Sequence, residues 1–437
     1  MSGEGLDRWL ETPSAEDASG LDWLATKREA ARARVRDQGI PTSKQEAWRY
    51  TSVKRLIEQG FVPADEPMTA LQPEDIEEVL IPGLESHRVV LVNGRYLPEL
   101  SDLGELPPGV RIGGLKQILK SDPDALRERL NGVAGEEQPL FAALNTARMD
   151  DGLVILLERG AVLSQPVELV HLSVGMDEPR VAQPRHIVAL EDGAQATLIE
   201  RYVSLGQSLY CTNSVLEVSV GRDGALKHQR VQNESPNAFH ITGLYLGLGE
   251  GSRYLGVNVG LGGAWARTDL QVQFTGEHAK CDLQGLYLAG DQQLLDYHLD
   301  VDHRLPHCTS RENFKGILYG KGRAVFDGRV YVAKDAQKTD AAMSNRNLLL
   351  SEGAEVDTKP QLEINADDVK CSHGTTVGQL APEMLFYLRS RGIKAPLARR
   401  MLCLGFAGEI LDVLEPEPLR ERVADQVGHR LEHAPLA

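Results

Sequence analysis

From about residue 150 to residue 377, apolar and polar positions alternate with a period of two in short runs broken by glycine. Examples are Leu216-Glu217-Val218-Ser219-Val220 and Gln361-Leu362-Glu363-Ile364-Asn365. That period puts alternate side chains on opposite faces of a strand. A small pattern recurs before the runs: a polar or acidic residue, Gly-Ala, then a strand-like stretch. It appears as ERGAVL from Glu158, EDGAQATL from Glu191, RDGALKH from Arg222 and SEGAEV from Ser351, with EGSRYL from Glu250 as a variant. Gly160, Gly193, Gly224 and Gly251 are spaced by 33, 31 and 27 positions, close to a repeat. Units this short cannot bury an apolar face alone, so stacking them into a β-solenoid is the economical arrangement. A β-sandwich is the structural competitor.

The flanks carry helical signals. Residues 21–38 are rich in Ala and Arg and are followed by Gly39 and Pro41, which predicts a helix ending near Gln38. SKQEAWRYTSVKRLIEQG predicts a second helix, with Ser43 and Glu46 spaced as a capping box and Gly60 as the stop. The apolar run from Val89 meets Asn93-Gly94, as a strand entering a tight turn does. After Gly378, Pro382 opens a helix closed by Gly392, and Pro396 opens another. Leu419, Val423, Val427 and Leu431 mark one face of a third. The expected organisation is a mainly helical unit over 1–150, stacked strands over 151–377 and a helical unit over 378–437.

Composition narrows the function. The 437 residues carry 47 basic and 63 acidic side chains, a net charge of −16, which argues against binding nucleic acid or an anionic membrane surface. Cys211, Cys281, Cys308, Cys371 and Cys403 are far apart and odd in number, which fits neither a disulfide framework nor a self-contained zinc site. The acidic N-terminus lacks a basic segment followed by an apolar run, and no stretch reaches about 18 apolar residues, so a cytoplasmic protein is expected.

No nucleotide loop is present: Gly316 to Lys321 has the wrong spacing, and Gly322 stands where a magnesium-binding hydroxyl is needed. Two groups of metal-binding residue types remain. In YHLDVDHRLPHCTS, His298, His303, His307 and Cys308 are interrupted by Pro306 and read as packing or hydrogen-bonding residues. In DDVKCSHG, Cys371 and His373 are two apart, so a strand would project both from one face. Two ligands leave a four-coordinate site incomplete, so a metal or cluster here needs ligands from elsewhere or from a partner. A buried thiol beside a hydrogen-bonded imidazole accounts for the spacing equally well.

At these residues the chain resembles a known family. LEINADDVKCSHGTTVGQLAPEMLFYLRSRGI is similar to the C-terminal signature of the SufB/SufD family of iron–sulfur cluster assembly. The likeness extends through FKGILYGKGRAVFDGRVYV, NRNLLLSEGAEVDTKPQLEI and ARRMLCLGFAGEIL, and upstream in PTSKQEAWRYTSVKRL. The SufD branch is nearer, since the SufB branch typically has a Glu-His-Glu-Ala type sequence where this chain has Cys371-Ser372-His373-Gly374. Thr375 departs from the more usual alanine.

The resemblance implies a right-handed parallel β-helix between N- and C-terminal helical domains. It also implies a non-enzymatic scaffold that pairs with a SufB-like paralogue and docks a SufC-like ABC-type ATPase, and it allows a homodimer of the chain in isolation. A transient iron–sulfur cluster or iron would be shared at the paralogue interface, with His373 the first candidate ligand and Cys371 the second. No nucleotide would be bound by this chain itself. The segment containing Pro382, Phe386, Tyr387, Arg391, Pro396 and Phe406 would form the ATPase-docking helices. Two rival readings are a β-helix polysaccharide-active enzyme, with Asp300, Asp302 and His303 as its acid/base set, and a stand-alone metal-binding protein. The low aromatic content, 5%, disfavours the sugar-binding reading.

Overall fold

The structure, a computed structural model, describes residues 8–10, 20–64, 71–175 and 178–434. Most of the acidic N-terminal stretch therefore lies outside the described residues. From Leu153 on, strands of up to eleven residues pair in parallel, mostly with the strand two places along the chain rather than with their sequence neighbour. In one sheet Trp265 pairs with Leu294, Leu294 with Arg323 and Arg323 with Glu355, steps of 29, 29 and 32 residues. In the other, Lys280 pairs with Thr309, Thr309 with Asp340 and Asp340 with Lys370. The result is a parallel β-solenoid whose two walls are an eleven-stranded and a ten-stranded sheet.

The alternation explains the walls. In Asp340–Leu349, Ala341, Met343, Asn345 and Asn347 are buried while the residues between them are half-buried. The interior is packed along its length with apolar side chains such as Leu216, Val218, Leu244, Leu246, Val272 and Phe274. Turns stack as the strands do: the Gly160 N–H donates to the Asp192 carbonyl, Gly193 to Arg222, Asp223 to Glu250 and Gly251 to Glu277. Gly193 takes a left-handed φ of 71°, as expected of glycine in such a turn. One coil later the left-handed residue is Asp223, at φ 54°, and Gly224 is required for space, since a Cβ there would sit 2.8 Å from Val220 Cγ1.

The first long helix, α1 (Asp22–Gln38), packs on α2 (Leu140–Arg148). Phe141 and Leu144 of α2 cover Val181, Phe239, Ile241 and Trp265 on the outside of the eleven-stranded sheet. The helix expected after Ser43 is not continuous. It is a turn of 3-10 helix at Glu46–Trp48 and a short helix at Lys54–Ile57, and Thr42 N–H donates to Gln45 Oε1 in place of the capping box. Tertiary contacts win there: Arg267 lies 3.9 Å from the centre of the Trp48 ring and donates to the Ala47 carbonyl, while Lys359 pairs with Glu46 at 2.6 Å. The expected strand near Val89 is His87–Val92, which joins the ten-stranded sheet, and Val110–Gly114 pairs antiparallel with Leu153–Leu157.

After the last strand come α3 (Pro382–Ser390), α4 (Ala395–Leu411) and α5 (Glu417–His433). Leu419, Val423, Val427 and Leu431 are all buried, with Cys403, Ala407 and Ile410 of α4, against Val231, Val257, Val259, Leu286 and Ile317 on the outside of the ten-stranded sheet. Among the described residues no helix is long and apolar enough to cross a membrane.

Candidate functional site

The solenoid's last coil has no successor. Glu355–Ile364 and Lys370–Gly378 end the two sheets and pair along one edge only. Such an edge offers a row of free backbone donors and acceptors to another chain. In the final strand Cys371 lies in register with Ala341, His373 with Met343, Thr375 with Asn345 and Val377 with Asn347. Those four partners line the interior, so by the same alternation Cys371, His373, Thr375 and Val377 continue that inner face at the mouth. In the facing strand Val356, Leu362 and Ile364 follow Ala324, Val330 and Val332. What earlier coils bury is bared here: Val377 is 49% and Ile364 41% exposed.

The thiol and imidazole anticipated from their spacing therefore share one face of the mouth. Cys371 is half-buried against the interior apolar cluster, and burial pushes its thiol upward in pKa, opposed by a hydrogen bond from the Ala341 backbone. Binding a metal ion at this sulfur must release a proton. His373 is exposed. Behind them the inner rows run from His373 to Met343, Glu312 and Leu283, and from Cys371 to Ala341, Ser310 and Cys281. Glu312 is buried, and desolvation raises its carboxyl to about 8, opposed by the nearby Ser310 hydroxyl and the Arg311 charge. Sequence reasoning missed this residue, although an acid at an inward position of an alternating strand was the available signal.

The other histidine-rich group disperses. His303 points inward, 3.0 Å from Ser310 Oγ and stacked on Phe274, and burial lowers it to about 4. His298 faces outward beside Asp296 at 3.0 Å, His307 stacks on His278, and Cys308 is buried and donates to the Gly276 carbonyl. Asp300 pairs with Arg329 and Asp302 with Arg304 on the outer face, opposite His303, so the three residues of an acid/base set are not brought together.

A second buried group was not anticipated. Glu200 accepts hydrogen bonds from Tyr202 at 2.6 Å and His228 at 3.0 Å, with His171 at 3.6 Å and Arg230 at 3.8 Å. Despite burial, His171, His228 and Arg230 hold its carboxyl well below the usual range. His186 lies within reach of His171 and Glu200, but its Nδ1 accepts the Leu153 N–H at 2.9 Å. The neutral ring must then carry its proton on Nε2, which leaves no lone pair for a metal. Glu200, Tyr202 and His228 form a hydrogen-bonded core, beside which His171 Nε2 and His186 Nε2 have no hydrogen-bond partner among the described residues.

On the C-terminal helices, Phe386 is 73% and Tyr387 58% exposed, and Met384, Leu397 and Met401 join them as exposed apolar side chains. Pro382, Arg391 and Pro396 are exposed as well, with the Arg391 guanidinium 5.3 Å from the centre of the Tyr387 ring. Phe406 stands apart from this patch. It is half-buried, with the Lys315 ammonium 4.5 Å from its ring centre, and serves the joint between α4 and the solenoid.

Comparison with known proteins adds the family. Residues 172–406 match the model of the SUF system FeS cluster assembly SufBD core domain, and residues 11–169 match that of the SufBD protein N-terminal region. The chain is similar to the iron–sulfur cluster assembly protein SufD of Escherichia coli, at 36% identity over 90% of each chain. It is also similar to an iron–sulfur cluster assembly SufBD family protein of Synechocystis, at 34% over 93% of this chain and 91% of the relative. The chloroplastic protein ABCI7 of Arabidopsis thaliana is 32% identical over 89% of this chain and 82% of its own length.

Proposed function

The chain belongs to the SufBD family of iron–sulfur cluster assembly, and from that premise we propose that it is a cytoplasmic SufD-type scaffold subunit that positions partners and ligands and turns over no substrate. The observation that carries this reading is the open end of the solenoid, where the two final strands are each paired along one edge only and Lys370–Gly378 presents Cys371 and His373 on the inner face. A SufB-like paralogue with an end of its own would cover the exposed Ile364 and Val377 and complete the ligand set that two donors leave open. Iron and sulfide are cargo here. The His373 imidazole offers a lone pair, and Cys371 becomes a thiolate as the metal displaces its proton.

The exposed apolar side chains of α3 and the start of α4, Phe386 and Tyr387 among them, suit docking of a SufC-like ATPase. Nucleotide chemistry would belong to that partner, since this chain has no phosphate-binding loop. The ATPase and the mouth are then linked through α4, which packs on the outer face of the ten-stranded sheet that ends in Cys371 and His373.

His373→Ala tests the ligand assignment. The variant, co-expressed with the paralogue and the ATPase, is expected to assemble with both and keep its melting temperature while the visible absorbance of the assembled cluster falls. Unfolding of the variant, or loss of the paralogue, would make the residue structural.

A further inference from the structure

The last helix carries a second group of donors, far from the mouth in sequence and outside the reading above. Its buried face is formed by Leu419, Val423, Val427 and Leu431. His429, Glu432 and His433 fall on the exposed side. One ring nitrogen from each histidine and one carboxylate oxygen lie within 4.8 Å of one another. The two imidazoles are one helical turn apart, a spacing that lets both reach one ion, and their ring centres are 4.4 Å apart.

The tautomer of one ring is settled by its neighbour. His433 Nδ1 lies 2.9 Å from the His429 carbonyl oxygen. A carbonyl only accepts, so Nδ1 carries the proton and Nε2 keeps its lone pair. Metal-bound histidines are oriented in the same way. Two further features favour a cation. The group sits in the last turn, at the negative end of the helix dipole. The helix end is also fixed in place by Arg430, which donates to Asn233 at 2.8 Å, while Arg400, paired with Glu432 at 3.2 Å, is the cation with which an ion would share or contest that carboxylate.

We propose that His429, Glu432 and His433 form a surface site for a borderline divalent transition-metal ion of the zinc and ferrous iron class, with its remaining coordination positions open to water. Two imidazoles and one carboxylate suit that class better than magnesium or calcium, which prefer oxygen ligands throughout. The site stands independently of the cluster-assembly role, because none of its residues lies at the mouth.

The test is a zinc titration of the tag-free, full-length chain against a chromophoric zinc indicator. Wild type is expected to withdraw one equivalent from the indicator through this site, and a Cys371→Ser/His373→Ala double variant should retain it. His429→Ala and His433→Gln, both on an exposed face and expected to keep the wild-type melting temperature, should bind at least about tenfold more weakly. Cobalt(II) gives a second readout, as a visible absorption band present in wild type and lost in either histidine variant. The proposal is overturned if wild type takes no zinc from the indicator, or if the two histidine variants compete as well as wild type.

Discussion

Glu312 shows how one residue can set the pH response of a solenoid interior. Its carboxyl titrates near 4.5 when unfolded and near 8 in the folded chain, so between those values the folded state holds the extra proton. The stability tied to that proton is complete below about pH 4.5 and is lost as pH rises through 8. At roughly 1.4 kcal/mol per unit, the loss is on the order of several kcal/mol. Glu312→Gln should therefore melt at a higher temperature than wild type at pH 8 and close to it at pH 5, as calorimetry at the two pH values would read. An equal gap at both would mean that the buried carboxylate finds a partner. His303 acts on the other side: lowered to about 4, it contributes stability above pH 6.5 that is lost as pH falls, and Glu312→Gln leaves that acid limb in place. At this scale the sequence was only partly legible. Cys371 and His373 could be placed together because a strand's period of two is strict. His228 and Arg230 alternate just as regularly, yet nothing in the pattern of one strand says that Glu200 of the neighbouring coil stacks beside them, in register with Arg230.

Elements were legible where local pattern and tertiary demand agree. Leu419, Val423, Val427 and Leu431 marked a helical face that the solenoid wall buries. The segment after Ser43 had an equally good helical pattern and failed, because Arg267 claims the Ala47 carbonyl and the Trp48 ring from more than two hundred residues away. The Gly-Ala turns were read correctly as turns, though the glycines serve two different needs, a left-handed φ at Gly193 and close approach at Gly224. A buried ion pair ties one early segment to the wall. Arg185 meets Glu217 at 2.6 Å, and Glu217 also accepts the N–H groups of Asn131, Val133 and Ala134. Glu217→Ala should cost about 3–5 kcal/mol in denaturant titration, because it strands the Arg185 charge. A loss under 1 kcal/mol would mean that Arg185 is neutralised by other means.

At the scale of the whole molecule, the open last coil and the C-terminal helices leave two separate exposed surfaces, which the proposed function assigns to different partners. Ile364→Lys places a charge at the rim of the mouth, and Phe386→Ala with Tyr387→Ala removes two exposed aromatic rings of α3. Losing a central aromatic anchor typically costs about 2 kcal/mol or more of binding. The solenoid was readable from the turn repeat, because a stacked architecture repeats its local demands at every coil. Which end stays open was not, since the two final strands have the same alternation as their covered predecessors. The measurement that tests the account most directly is size-exclusion chromatography of this chain co-expressed with a SufB-like paralogue and a SufC-like ATPase, comparing wild type with the two kinds of variant. Wild type is expected to form a three-component complex, Ile364→Lys to lose the paralogue alone, and the aromatic pair to lose only the ATPase contacts on this chain. A wild-type chain that elutes without either partner, or variants that leave both associations intact, would contradict the proposed function.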